Sequence, residues 1–332
     1  MNQLQQQNLE KLLSRWESAL AAYGTPQDFT ARSRVQSLPN PDNLQEAAWT
    51  VIYSEGFHRR KELMKEEQQR LQEEKQLQGE KKPFLIIGKS DENSSDQDSC
   101  LLCPNVALAR NQSGNLLLPW ETFQESILVP NRYPAITPHC LLTQKQHDPP
   151  GRKISGAVTP AYLENMIQVA QDYGLAAFRN HRLAGMSISD HEHAHLYRRE
   201  WNLGGESLPA AGIFRSQLEP TAFGDSIRQA SSSRFDTIAF IGGYAAERIL
   251  SVMGKMEDDS QIFTFAHDAG TFFLTPHRKA DPPDAQKMYG NSNNAFYFKV
   301  VRPEQPFSFR DNMASTERFH WAKGTFPWEK YF

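Results

Sequence analysis

The sequence predicts an α+β protein with largely antiparallel sheet, helices packed on one face, and two repeats of which the second is degenerate. Three observations carry this. Short apolar runs bounded by turn residues fill residues 126–197 in the order strand, strand, helix, strand, strand. A looser version of that order returns over residues 235–301. At 332 residues the chain can also bury a core large enough for two packed halves. The expected divisions are an N-terminal helical region with a charged spacer (1–83), a half that carries the chemistry (84–220), and a degenerate half with a C-terminal extension (221–332).

The elements follow in order. Leu9, Leu12, Leu13, Trp16, Ala19, Leu20 and Tyr23 recur at helical spacing, so the first 24 residues read as an amphipathic helix ending near Gly24. Residues 58–82 are mostly charged or amide-bearing and read as a solvated spacer. Residues 88–99, "GKSDENSSDQDS", read as a polar loop. "SILVPNRYP" and "HCLLTQ" are strands joined by a turn. Pro160 opens a helix that Gly174 closes. "LAAFRN" and "HEHAHLY" are two further strands. In the second half "FDTIAFIGG" is a strand, "YAAERILSVMGKM" a helix, and "QIFTFAHDAGTFFLTPHR" a hairpin turning at Asp268-Ala269-Gly270. "NAFYFKVV" is a last strand, and the aromatic C-terminus packs onto the core or a partner.

Composition narrows the function. A net charge of -3 and a pI near 6.4 imply no broad basic surface, so nucleic acid is not the expected partner. No apolar stretch is long enough to cross a bilayer, and the N-terminus lacks a signal peptide's basic start and apolar run. Three cysteines make no disulfide framework, which fits a cytoplasmic protein with reduced thiols.

Two constellations carry chemistry. In "HEHAHLY", His191, His193 and His195 occupy alternate positions, which on a strand would form a row on one face. Just upstream stand Gly185, Ser187 and Ser189. A backbone that can approach closely, with hydroxyls beside it, suits phosphate oxygens, and a neutral histidine facing it could attack phosphorus. In "CLLC", the C-x-x-C spacing lets Cys100 and Cys103 share one zinc ion, with His147 and His191 as the further ligands. Elsewhere, His139 at a strand start reads as structural and Cys140 as a buried thiol. His277, Arg278 and Lys279 read as a contact for an anionic substrate or as an ordinary basic turn.

"HEHAHLY" matches the His-x-His-x-His-x-x signature of the histidine triad superfamily. The order "CLLC", "ILVPNRYPAITPHCLLTQKQH", "RNHRLAGMSISDHEHAH" resembles its nucleotidyltransferase branch, nearest the GDP-galactose phosphorylase and diadenosine tetraphosphate phosphorylase group. The likeness spans residues 84–302 and implies a nucleotidyltransferase or phosphorylase that cleaves a nucleoside phosphoanhydride. It makes His193 the nucleophile, with His195 beside it, and gives Asn131 and Asn180 contacts to the nucleotide. It implies structural zinc on Cys100, Cys103, His147 and His191. The partners implied are a small nucleotide and phosphate or water; relatives often form homodimers.

Two departures matter. Members that transfer or phosphorolyse usually carry glutamine where this chain has His195, and histidine there is typical of hydrolases. The usual serine three residues before the first histidine is Ile188 here. A hydrolase, and a zinc-stabilised nucleotide-binding protein without turnover, therefore stand as alternatives.

Overall fold

A computed structural model describes residues 2–22, 33–54, 59, 69, 121–131, 134–145, 158–181, 191–203, 206–242, 245–278, 292–293, 296–302, 304 and 306–332. Helix α1 is Gln3–Ala22. Strands β1 (Arg34–Leu38) and β2 (Trp49–Tyr53) follow. Then come β3 (Glu121–Thr122), β4 (Ser126–Pro130), β5 (His139–Gln144), α2 (Pro160–Tyr173), β6 (Leu175–Arg179) and β7 (His193–Arg198). A small hairpin, β8 (Glu200–Leu203) and β9 (Glu206–Pro209), leads to β10 (Leu218–Pro220), β11 (Ile227–Ala230) and β12 (Ile238–Phe240). The rest is α3 (Ala245–Asp258), β13 (Ile262–Asp268), β14 (Thr271–His277), β15 (Ser292–Asn293), β16 (Phe298–Val301) and α4 (Phe309–Glu317).

Local chemistry sets the helix that leads to the site. Thr159 caps α2 by accepting from the Tyr162 amide, and Pro160 occupies its first turn, where no amide is needed. Gly174 ends it at φ 63° and donates its N–H to the Ala170 carbonyl, a backbone conformation that glycine adopts without steric cost. Between the caps, Tyr162, Leu163, Met166, Val169 and Ala170 form one buried stripe. Each large apolar side chain so buried contributes about 1.5–3 kcal/mol.

Ten strands form one sheet in the order β10-β11-β12-β14-β13-β6-β7-β5-β4-β3. Outward from the central β6–β13 pair, the two sides match: β6-β7-β5-β4-β3 on one, β13-β14-β12-β11-β10 on the other. Each half is therefore the same strand, strand, helix, strand, strand unit, and the halves meet across antiparallel β6 and β13, where Phe178 faces Ala266. The repeat read from the sequence is thus a pseudo-two-fold of the sheet.

The two faces of this sheet differ. Leu175, Ala177, Ala194, Leu196, Phe263, Phe265, Phe272 and Leu274 pack with α1, α2 and α3. Ala176, Phe178, Tyr197, Ala239, Ala266 and Phe273 pack instead with a second, four-stranded sheet, β1-β2-β16-β15. The expected helical face is present, and the small sheet covers the other. It joins residues 34–53 to residues 292–301 and contains a parallel pair, β2 with β16. The C-terminal aromatics pack on the helical side, where Phe326, Trp328 and Tyr331 are buried.

Candidate active site

The site lies at the start of β7. Strand alternation turns Ala194 and Leu196 to the helical core, and His193, His195 and Tyr197 to the opposite face. The neighbouring β5 pairs antiparallel with β7 in the register His139–Tyr197, Leu141–His195 and Thr143–His193, so His139 shares that face. The strand opens at His193, so His191 precedes the row rather than standing in it.

His193 is buried, and its Nδ1–H donates to the carbonyl of His191 at 2.9 Å. One tautomer is thereby fixed, with the lone pair on Nε2. Burial pushes this imidazole below its ordinary pKa; the bond to the His191 carbonyl and the nearby Glu192 carboxylate oppose that shift without cancelling it. A neutral ring with a held Nδ1–H and a basic Nε2 is a nucleophile in its reactive form.

His195 is half-buried, with its ring centroid 5.2 Å from that of His193. Its Nδ1 lies 3.0 Å from His139 Nε2. The Ala135 amide donates to His139 Nδ1 at 3.2 Å, which leaves His139 Nε2 to carry the proton. His139 therefore donates to His195 Nδ1, and neutral His195 carries its own proton on Nε2. The chain of bonds sets the tautomer of two rings. His139 also stacks on Tyr197 at 4.3 Å and 28°. Read from sequence as structural, His139 instead touches the triad. The signal that finds it is register: on an antiparallel neighbour of β7, residues 139, 141 and 143 must face the histidine row.

Asn131 stands against His139. Its amide nitrogen is 3.2 Å from Nδ1 and 3.0 Å from Nε2 of that ring. Near-equal distances to both nitrogens put it over the ring face rather than in line with either lone pair. Asn180 follows β6 and is half-buried, and its Oδ1 is buried without a hydrogen-bond partner among the described residues. Gly185, Ser187 and Ser189 lie outside the described residues, as do Cys100, Cys103 and His147.

Of the four expected zinc ligands only His191 is described. It is fully buried, and its Nε2 bonds the Gln144 carbonyl at 2.7 Å. A metal-bound imidazole is commonly held so, with one ring N–H on a backbone carbonyl and the other nitrogen on the metal. No group of three metal-ligating side chains occurs among the described residues.

Other candidates resolve differently. His277 is buried in β14 and bonds Thr264 Oγ1 at 3.0 Å, so it is no surface contact for an anion. Cys140 is buried, and burial pushes its thiol up, as expected of an inert packing residue. Asp268 closes the second-half hairpin and pairs with Arg199 at 2.8 Å.

The second half lacks the site. Phe178 pairs with His195 and Ala266 with Phe273, so under the pseudo-two-fold through Phe178 and Ala266, Phe273 stands where His195 does and Thr271 where His193 does. The stacked His139–Tyr197 pair is matched by Thr237 and Thr275, whose hydroxyls bond at 2.8 Å.

No protein-family model and no curated protein sequence matches the chain. Solved structures do. The chain is similar to yeast Ap4A phosphorylase Apa2 at 13% identity and a TM-score of 0.53, covering 96% of this chain and 98% of that one. The AMP complex of the same yeast enzyme matches at 12% identity and a TM-score of 0.52, over 90% of this chain and 89% of that one. The α+β histidine triad-like fold expected from the sequence is the fold these structures share with it.

Proposed function

We propose that this protein is a nucleotidyltransferase or phosphorylase that cleaves a nucleoside phosphoanhydride through a nucleotidyl-His193 intermediate. The observation that carries this reading is the bond from His193 Nδ1–H to the His191 carbonyl, which aims a neutral Nε2 off the sheet. In the first step the Nε2 lone pair attacks the α-phosphorus, the P–N bond forms, and the phosphoanhydride P–O bond breaks toward the leaving group. The phosphorylated ring is cationic, and the His191 carbonyl accepts from its Nδ1–H throughout. In the second step the acceptor oxygen attacks phosphorus, the P–N bond breaks, and His193 returns to its neutral form; an anionic phosphate oxygen brings no proton, and where the acceptor is water its proton leaves to solvent. His195, with its tautomer set by His139, presents an N–H to the departing or entering oxygen. Asn180 and Asn131 orient the nucleotide. The fold likeness supports this substrate class, since the yeast structures are of an Ap4A phosphorylase, one with AMP and one without it.

Structural zinc on Cys100, Cys103, His147 and His191 belongs to this reading. His191 would suit the role because its Nε2 bonds the Gln144 carbonyl, and Nδ1 would be the nitrogen that holds the ion. The ion would supply rigidity to the cysteine segment, and no step of the reaction passes through it.

Hydrolysis is the second reading, favoured by His195 in place of glutamine. One experiment decides among the alternatives. The protein is incubated with α-labelled diadenosine tetraphosphate or GDP-hexose, with and without phosphate. Label should appear on the wild-type chain and not on His193→Gly. A nucleoside diphosphate formed only with phosphate means phosphorolysis, and a monophosphate without it means hydrolysis. No label and no product would leave a nucleotide-binding protein.

A further inference from the structure

The residue just before His193 turns away from the histidine face. Glu192, between His191 and His193, turns to the helical face, where its carboxylate meets Arg179 at the end of β6. The pair is bidentate, Nε to Oε1 at 2.5 Å and Nη2 to Oε2 at 2.6 Å. Arg179 is 0% and Glu192 2% exposed. The guanidinium lies 5.4 Å from the Phe265 ring centroid, and Tyr162 and the Glu257 carboxylate are the other polar groups among the described residues near enough to act on it.

Stability alone does not account for this pair. Taking two ions out of water costs several kcal/mol each, and well-packed apolar residues of similar volume commonly do as well or better. Arg179 Nη1 is moreover buried with no hydrogen-bond partner among the described residues. The location suggests another purpose. The β6–β7 ladder ends at Phe178–His195. Beyond it, residues 191–193 have no ladder partner in β6 among the described residues. On the β5 side they remain tied, since the Gln144 amide donates to the Glu192 carbonyl at 3.1 Å and His191 Nε2 bonds the Gln144 carbonyl. Arg179 supplies the missing tie from the β6 side, through a side chain where the ladder has stopped.

We propose that Arg179 and Glu192 are a positioning pair: by gripping the chain between His191 and His193 from the helical side, they hold the His191 carbonyl where it fixes His193 as the Nδ1–H tautomer. A bidentate carboxylate–guanidinium contact fixes direction as well as distance, which a hydrophobic contact does not. The peptide that carries that carbonyl is the one joining His191 to Glu192, so rotation of the Glu192 backbone would swing the acceptor away from Nδ1. The role deepens the nucleotidyl-transfer reading and rests on it for its catalytic consequence, but the tautomer itself can be observed without any substrate.

The test uses the full chain labelled with 15N-histidine, in wild type and in the double variant Arg179→Met with Glu192→Leu. Imidazole nitrogen shifts report the tautomer, and His193→Gln identifies the His193 signals among the ten histidines. Wild-type His193 should show a protonated Nδ1 and an unprotonated Nε2. In the folded double variant both shifts should move toward averaged values. Turnover should fall roughly ten- to a hundredfold at nearly unchanged KM, the scale of a misplaced catalytic group. Glu192→Gln, which keeps the shape and removes the charge, carries the same readout if the double variant does not fold. A folded variant with unchanged His193 shifts would overturn the proposal. If the wild-type chain takes no nucleotidyl label, the functional reading falls while the nitrogen shifts still decide this one.

Discussion

His139 Nε2 and His195 Nδ1 lie 3.0 Å apart, although 56 residues separate them in the chain. The bond makes the third histidine of the row dependent on a residue of another strand. His139→Asn removes the ring that sets the His195 tautomer and leaves His193 with its own acceptor. Loss of a hydrogen bond between two neutral rings costs about 0.5–1.5 kcal/mol, so turnover should fall roughly two- to tenfold. Adduct formation on His193 should persist. A variant with wild-type kcat under saturating substrate would show that the bond does nothing for turnover.

His195→Gln should shift the fate of the adduct. Histidine can hold or pass a proton near neutral pH and glutamine cannot. Loss of the N–H that His139 holds toward the site should therefore weaken attack by uncharged water more than attack by phosphate, which is anionic already. The ratio of phosphorolysis to hydrolysis should rise while some turnover remains. Product ratios in phosphate buffer, wild type against variant, measure it; equal ratios would remove His195 from the choice of acceptor.

Cys100→Ser should lower metal content and stability together, because a structural zinc site binds as it folds. Elemental analysis of the wild-type chain should give about one zinc per polypeptide. Metal-free wild-type protein of full stability would contradict the four-ligand assignment and leave His193 untouched.

Asp236 is a stability prediction away from the site. Its carboxylate accepts from the backbone amides of Gly324, Thr325 and Phe326 at 2.8, 2.7 and 2.6 Å. These bonds fasten the segment whose aromatics cover α3. Asp236→Ala leaves three amides without their acceptor, each costing on the order of 1–3 kcal/mol if it stays buried. Thermal unfolding should drop by at least several degrees with KM unchanged. A melting temperature within a degree of wild type would mean the tail is held by packing alone.

Acid should destabilise the fold before it protonates most carboxylates. His320 is buried and pushed down to about 4 by desolvation, and desolvation together with the neighbouring His320 and His181 holds His277 well below its ordinary value. Unfolded histidines titrate near 6.5, so below that pH the unfolded chain binds more protons and stability falls. The contribution is complete above about 6.5 and is lost progressively toward about 4, at up to ~1.4 kcal/mol per pH unit for each ring. His267, also near 4, adds to this, whereas burial lifts Asp268 to about 6 and acts in the opposite sense. Urea unfolding at pH 7.5 and 5.5 tests the sum; equal midpoints would refute it.

Sequence made the local features legible and the distant ones not. Thr159, Pro160 and Gly174 mark α2 because caps act within a few residues. The Asp268–Gly270 turn is equally local, with Ala269 at φ 49° and Gly270 at φ 82°. By contrast β2, "WTVIY", is buried on every residue and shows no alternation, and its partner β16 lies about 250 residues away. The three histidines were legible because they sit in one heptapeptide, although His191 stands ahead of the strand. His139 and the Arg179–Glu192 pair were not, because each joins the row through strand register, which spacing along the chain does not encode.

The hairpin of the second half sets a stoichiometry. In the first half 13 residues, 180–192, separate β6 from β7; in the second, only Ala269 and Gly270 separate β13 from β14. A two-residue turn has no length to fold around a phosphate. Histidines placed at Thr271 and Phe273 would copy the row without a connection of that length before it. On the nucleotidyl-His193 reading each polypeptide carries one nucleotidyl group at most, and burst titration should end at one equivalent per chain whatever the number of chains in the assembly.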